Sequence, residues 1–310
     1  MSILFLVMIL GQKQKANEHN PYFEGFYFKH QGCEGSVALI PAVHRTRNGS
    51  GASLQVVTAS NSFFIQYPAS AFSLARSPWE VRLGDSRFSA DGVILSAAGP
   101  GVTVEGEVRY GAKCPLRHDI MGPFRLAEPV MQCYHGVFSM RHLLTGSLTI
   151  NGQNVCFDGG TGYIETDRGR SFPRSYLWTQ ANWRGNSLML SVAEIPLMGL
   201  RFPGCICAIL FDGKEHRLAT YLGAKIVRCD AEGAEVRQGR YRFSVVRLSG
   251  QTADLRAPEK GVMERTVREA LCARVQYQFW RGDRLIFDVS CDSASFESCG
   301  LPGKKQTGLF

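Results

Sequence analysis

The stretch NPYFEGFYFKHQ, residues 20–31, places five aromatic residues in the seven positions from Tyr22 to Phe28, with one carboxylate, Glu24, among them. A strand buried on one face alternates apolar with polar residues. This one does not. Phe23, Gly25, Tyr27 and Lys29 share one face, and Tyr22, Glu24, Phe26, Phe28 and His30 share the other. Neither face is simply wet, so the pattern predicts a strand that lines a barrel interior on one side and packs on a neighbouring domain or helix on the other. SYLWTQANW, residues 175–183, reads alike, with Tyr176, Trp178, Gln180 and Asn182 on one face and Leu177 and Trp183 on the other.

The two strands open a repeated unit. FYFKHQGCEGSVALIPAVH, from Phe26, lies over SYLWTQANWRGNSLMLSVAEIP, from Ser175, with Tyr27 over Tyr176, Gln31 over Gln180 and Gly35 over Gly185. VRLGDSRFSADGV, from Val81, matches TYLGAKIVRCDAEGA, from Thr220, with Gly84 over Gly223 and Gly92 over Gly233. LTINGQNVCFDGGTGYIE closes on Glu165, and QFWRGDRLIFDVSCDSASFE closes on Glu297. Matches in the same order point to duplication. The 33 glycines and short apolar runs between turn residues argue for strands. We therefore expect an all-β chain of two calyx-like antiparallel barrels of about eight strands each. The first would span residues 20–166 and the second 167–300, flanked by tails over 1–19 and 301–310. The one helix candidate is PEKGVMERTVREALCARV, from Pro258, where Val262, Val267, Ala270, Leu271 and Val275 form an imperfect helical stripe.

The formal charge of +8 is dispersed without a basic run. Nucleic-acid binding is therefore not expected, and weak peripheral attraction to an anionic membrane is the functional alternative to a solvated surface. Ten cysteines without regular spacing, two of them (Cys205 and Cys207) in an apolar strand, read as reduced thiols. No Cys-x-x-Cys or His-x-His pair occurs, so no metal is expected. MSILFLVMIL is too short to span a bilayer as a helix and lacks signal-peptide flanks. It reads as a tail or start-site artefact and points to the cytoplasm.

A buried acid must be paired or keep its proton. Glu24 thus has two readings, an ion pair at a strand entrance or a proton donor in an apolar cavity. The densest polar cluster, GYIETDRGRSFPRSYLWTQ, residues 162–180, sits at the join of the repeats. Glu165, Asp167, Arg168, Arg170 and Arg174 lie there beside Tyr163, Phe172, Tyr176 and Trp178; they form either a ligand site or a linker of ion pairs. His135 is a candidate acid or base, or a structural histidine. Its odd separation from His142 predicts opposite faces and no shared metal. No nucleotide loop or nucleophile motif is present.

YFEGFYFK, GYIETDRGRSFPRSYLWTQAN and LRAPEKG…VQYQFWRGDRLIFDVSCDSASFE, in this order, resemble the tocopherol cyclase family, which is related to the carotenoid hydratase group. The resemblance runs from about Pro21 to Cys299. It implies two lipocalin-like barrels and a cofactor-independent cyclisation of a prenylated quinol to a chromanol. An acid would protonate an alkene and the neighbouring phenol oxygen would attack the cation. Glu24, Tyr27 and Lys29 match the first motif; Tyr163, Glu165, Gly169, Phe172, Pro173, Trp178 and Gln180 match the central one. By this resemblance Glu24, Asp167 or Glu165 supplies the acid, Tyr27, Tyr176 and Trp178 wall the cavity, and Arg168 or Arg174 orients a phenol. Phe26 and Arg168 stand where the plant enzymes usually carry Trp, which leaves the quinol open. A binding protein for a lipophilic ligand is the alternative function on the same fold.

Overall fold

The computed structural model describes residues 21–47, 49–197 and 200–303. The apolar N-terminal segment and the tail beyond Gly303 lie outside them, and so do the expectations that fall there.

The first sheet comprises β1 (Tyr22–Gln31), β2 (Ser36–Thr46), β3 (Gly49–Val57), β4 (Ser62–Pro68), β5 (Phe72–Arg76), β6 (Trp79–Leu83), β7 (Ser86–Ser89), β8 (Gly92–Gly99), β9 (Val102–Tyr110), β10 (Cys133–Ile150), β11 (Gln153–Cys156) and β12 (Thr161–Gly169). The second comprises β13 (Tyr176–Trp183), β14 (Asn186–Leu197), β15 (Leu200–Phe211), β16 (Lys214–Ala219), β17 (Lys225–Asp230), β18 (Gly233–Gln238), β19 (Tyr241–Ser249), β20 (Ala253–Glu259), β21 (Val262–Arg281) and β22 (Arg284–Cys299). Spatial order is β4-β3-β2-β1-β12-β10-β9-β8-β7-β6-β5 in one and β16-β15-β14-β13-β22-β21-β19-β18-β17 in the other. In each, four strands meander and the last strand returns antiparallel to the first, β12 to β1 and β22 to β13.

The shared turns explain the glycine matches. Gly84 donates its N–H to Ala71 O, and Gly223 donates to Thr220 O, both at 3.0 Å. Their φ angles of 57° and 86° lie where a Cβ is disfavoured. The β5–β6 hairpin is inserted between Ala71 and Gly84 and has no counterpart before Gly223. Pairing also adjusts one alignment. Tyr27 lies opposite Glu165 and Trp178 opposite Glu297, so superposing the glutamates sets Tyr27 on Trp178 rather than on Tyr176. Two residues make one strand period, so the faces are unchanged. β12 continues past residue 166, and the chain crosses between sheets over residues 170–175.

Each sheet curls over its own apolar core. Phe26, Phe28, Leu39, Leu54 and Phe88 pack inside the first, and Leu177, Leu190, Phe243, Tyr277 and Phe296 inside the second. A third cluster, with Tyr27, Met121, Tyr163, Trp178 and Leu255, fills the seam between them. That is what the two aromatic faces of β1 meet: Phe26 and Phe28 look into the first core, and Tyr27 looks across to the second sheet. Cys205 and Cys207 are buried in β15, and all ten cysteines are free.

The expected helix from Pro258 is instead the hairpin of β20 and β21. Met263, Val267 and Glu269 are buried while Glu264, Thr266 and Arg268 are exposed, a period of two that the apparent helical stripe concealed. Lys260 and Gly261 both have positive φ, 50° and 80°, as a two-residue hairpin turn requires. Long β-strands so close to a second sheet are held there by polar ties. The Gln55 amide exchanges hydrogen bonds with the Arg256 main chain at 2.9 and 2.7 Å, and the Lys260 N–H reaches Ser171 Oγ at 2.6 Å. From the other side, residues 111–132 cross the seam, where Arg217 donates to Asp119 O at 2.7 Å and Tyr221 to Ile120 O at 2.9 Å.

The first core also contains two neutral imidazoles. His30 is fully buried against Tyr110, with Nε2 and the phenol oxygen 2.7 Å apart, and His142 lies 3.0 Å from Ser139 Oγ. Burial lowers His30 to about 4 and His142 to about 3, the latter with help from His30 itself. Below pH 6.5 an unfolded chain protonates these rings while the folded one resists, so their contribution to stability is lost as pH falls. We expect His142→Gln to flatten the decline in unfolding free energy between pH 6.5 and about 4. The difference from wild type should change by up to about 1.4 kcal/mol per pH unit in denaturant titrations.

Candidate functional site

A cavity of about 180 Å³ opens in the seam, a size at which an apolar site takes an aromatic ring. Its wall is built from β1, β10, β12, β13 and the β20–β21 hairpin, with Met121, Phe124 and Met131 contributed by the crossing segment. Tyr27 and Trp178 meet edge to face at 5.3 Å, Phe172 packs on Phe23 at 5.5 Å and on Tyr176 at 6.0 Å, and these rings form the apolar lining. Into this dry wall the sheets project four carboxyl groups: Glu165 and Asp167 from β12, Glu269 from β21 and Glu297 from β22.

Strand register sets their grouping. Glu165 and Asp167 are two apart on β12 and so share a face, and His135 of β10 is the direct partner of Asp167. His135 Nδ1 lies 3.0 Å from Asp167 Oδ1, and its Nε2 lies 3.4 Å from Glu165 Oε2. Tyr163 donates to Glu165 at 2.5 Å. On the other sheet Glu269 and Glu297 are cross-strand partners. Tyr27 donates to Glu269 and lies 3.0 Å from Ser295 Oγ, while Tyr176 donates to Glu297.

Burial dominates the ionisation of these acids. It raises Glu165 to about 7, against the nearby His135 charge, and Glu269 to about 7, against Tyr27 and Lys29. Glu297 rises to about 8, through burial and then the Glu269 charge. Such shifts correspond to about 3–5 kcal/mol in favour of the neutral acid. A hydrogen bond to a charged group supplies only about 1.5–3 kcal/mol, so one tyrosine does not keep a buried carboxylate ionised. Burial would lower His135, but Glu165 and then Asp167 outweigh it and lift the ring to about 9. His135 is therefore an imidazolium between two carboxyl groups.

His135, Glu165 and Asp167 also bring three donor atoms within 4.8 Å, a trio that sequence spacing did not suggest. They are the residues that could hold a divalent cation. The imidazole presents different nitrogens to the two carboxyl groups, however, and one ion cannot use both edges of the ring. The proton fits this arrangement better. Among the described residues Trp178 Nε1 and Glu269 Oε2 have no hydrogen-bond partner, and both belong to cavity-lining residues, which leaves polar positions for a ligand.

Of the candidate site residues named from sequence, Tyr27, His135, Glu165, Asp167, Phe172, Pro173, Tyr176 and Trp178 line the cavity. The others lie elsewhere. Glu24 faces the end of the first core, where Tyr22 donates to it at 2.8 Å and Arg76 pairs with it at 3.3 Å, so its ion-pair reading holds. Lys29 is buried behind the wall on Ser293 O at 2.7 Å and Gln180 Oε1 at 3.3 Å. Tyr163 sits behind Glu165. Arg168 pairs with Glu128 at 2.6 Å and stacks over Tyr134 at 3.9 Å, and neither it nor Arg174 lines the cavity. Glu269 and Glu297 were missed. Glu297 was legible as the repeat partner of Glu165; Glu269 was hidden in the segment read as a helix.

The fold is shared with solved proteins. A structure described as a putative AttH from Nitrosomonas europaea aligns with a TM-score of 0.53 at 11% identity, covering 92% of this chain and 94% of that one. CghA, solved with Sch210972, gives 0.56 at 10% identity over 92% and 90%. Kievitone hydratase from Nectria haematococca gives 0.51 at 8% over 91% and 90%. The chain thus has the two-sheet lipocalin-like fold of these proteins. No family model and no curated protein matches the sequence. Among the described residues no helix is long and apolar enough to cross a membrane.

If the seam is the ligand site, filling it must exclude a ligand. We expect Ala193→Phe, on the cavity wall, to weaken binding of N-phenyl-1-naphthylamine by about tenfold, or about 1.4 kcal/mol, in fluorescence titrations. Glu24→Gln should leave that affinity unchanged.

Proposed function

We propose that this protein is a cofactor-independent acid catalyst acting on a lipophilic prenyl-type substrate, with cyclisation of a prenylated quinol as the particular reaction. The observation that carries this reading is a set of buried carboxyl groups, raised to about 7–8, on an aromatic cavity. A carboxyl group that stays neutral near pH 7 is a competent general acid. The surrounding rings exclude water and offer their faces to a developing carbocation. Among the acids Glu297 is the donor of choice, because it is raised furthest and no cation opposes its shift.

In the cyclisation, Glu297 transfers its proton to one alkene carbon, the π bond breaks, and the substrate's hydroxyl oxygen bonds to the tertiary cation. The O–H proton leaves, so substrate and product are isomers and no redox partner is required. The two-sheet fold shared with a kievitone hydratase is compatible with this chemistry, since hydration differs only in using water as the nucleophile. The tocopherol cyclase resemblance supplies the prenylated quinol.

The test is conversion of a panel of prenylated benzoquinols by purified protein, with chromatography separating each quinol from its isomeric chromanol. Glu297→Gln should lower turnover by about 10²–10⁴-fold while quinol binding persists. Binding of quinols by the wild type without any isomer formation would instead assign the protein to ligand carriage.

A further inference from the structure

We propose that the cavity divides acid and base between its two sheets: Glu297 on the second gives the proton, and Glu165 on the first, positioned by His135 and Asp167, takes one from the substrate's hydroxyl group. This inference rests on the acid-catalyst reading and adds the group that activates the nucleophile. It also narrows the substrate class to molecules that carry a hydroxyl group within reach of β12 and an electron-rich double bond within reach of β22.

The two carboxyl clusters stand on different sheets and line the same cavity, Glu165 and Asp167 on β12 and the cross-strand pair Glu269 and Glu297 on β21 and β22. Their surroundings differ in one respect that matters. Only the first cluster holds a cation on the cavity wall: His135 bridges Glu165 and Asp167 at 3.4 and 3.0 Å. The second is met by phenols, Tyr27 on Glu269 and Tyr176 on Glu297, with Lys29 acting on Glu269 from behind. Two carboxyl groups in one pocket, one beside an imidazolium and one without a counter-charge, are driven to opposite protonation states.

The remaining charged groups do not reverse this. Glu165 faces His135, Asp167, Tyr163 and, on the second sheet, Glu269. His135 faces Glu165, Asp167 and the more distant Asp119. Cys133 lies 3.6 Å from Asp167, but burial pushes its thiol well up, so it adds no charge. Burial keeps Glu297 protonated, and the neighbouring Glu269, Asp167 and Glu165 act in the same direction. The cycle balances: Glu297 loses a proton to carbon, the hydroxyl oxygen bonds to the cation, and its proton passes to Glu165. Solvent entering on product release returns the proton to Glu297.

His135 and Asp167 touch the base rather than the reacting atoms, so they are positioning residues, and a pH profile separates that role from a structural one. For quinol turnover by the wild type we expect a bell, with activity lost below the Glu165 value and above the Glu297 value. In His135→Gln the imidazolium is gone and Glu165 holds its proton to higher pH. The acidic limb should then move upward by about one pH unit or more, with the alkaline limb in place. Asp167→Asn, a milder change at the same contact, removes a negative charge that raises Glu165, so it should move the same limb downward in a folded protein even if His135→Gln is unstable. Glu165→Gln should abolish the acidic limb together with most turnover. If His135→Gln and Asp167→Asn keep the wild-type acidic limb, or shift the alkaline one, the division of roles is wrong while the acid reading stands. Absence of conversion by the wild type itself rejects the acid reading, and this assignment with it.

Discussion

The structure depends on the cost of ionising a carboxyl group in a dry aromatic seam. Glu165, Glu269 and Glu297 are almost fully buried, and each receives a tyrosine hydroxyl. Those hydrogen bonds satisfy one oxygen of each acid without offsetting the loss of water around a full charge. Glu297, with no cation beside it, therefore holds a proton that water would remove, and stored acidity is the chemical capacity of the cavity. Replacing the seam by a wet cleft would leave the same residues with ordinary carboxylates.

Duplication supplies the seam. A single lipocalin-like unit buries its apolar face inside its own curl, as Phe28 and Phe88 do in the first core and Phe243 and Phe279 do in the second. The outward faces of β1 and β13 would then be exposed, and packing them against each other covers both. Tyr27 and Trp178, set on equivalent strand positions by the register, meet there edge to face. The hairpin of β20 and β21 reaches over the first sheet and ties the seam through Gln55 and Ser171. A cavity between units rather than inside a calyx follows from this arrangement, because each curl is already full of side chains.

Much of this was legible in the sequence, and the reasons are local. Aromatics on both faces of β1 and β13 required two packing partners, and the matched Gly84 and Gly223 marked positions of positive φ. The cluster at residues 162–180 fell at the join, where Glu165 and Asp167 do line the cavity. Two matters were not legible. A strand such as Val262–Arg281, with mixed small and charged residues, satisfies a loose helical stripe as readily as a period of two, and its burial is decided by a sheet encoded far away. The partner of a buried acid is likewise nonlocal: Glu24 finds Arg76 and Glu269 finds Tyr27, across 52 and 242 residues. Apolar neighbours marked Glu24 and Glu165 as buried, but the pairing that fixes each proton belongs to the fold.

The central claim is that Glu297 is neutral at physiological pH, and infrared spectroscopy with isotope-labelled glutamate reads this directly. At pH 7 the wild type should show the C=O stretch of protonated glutamate carboxyl groups, with a component that disappears in Glu297→Gln and persists to about pH 8 in the native protein. A spectrum at pH 7 containing only carboxylate bands would contradict the account.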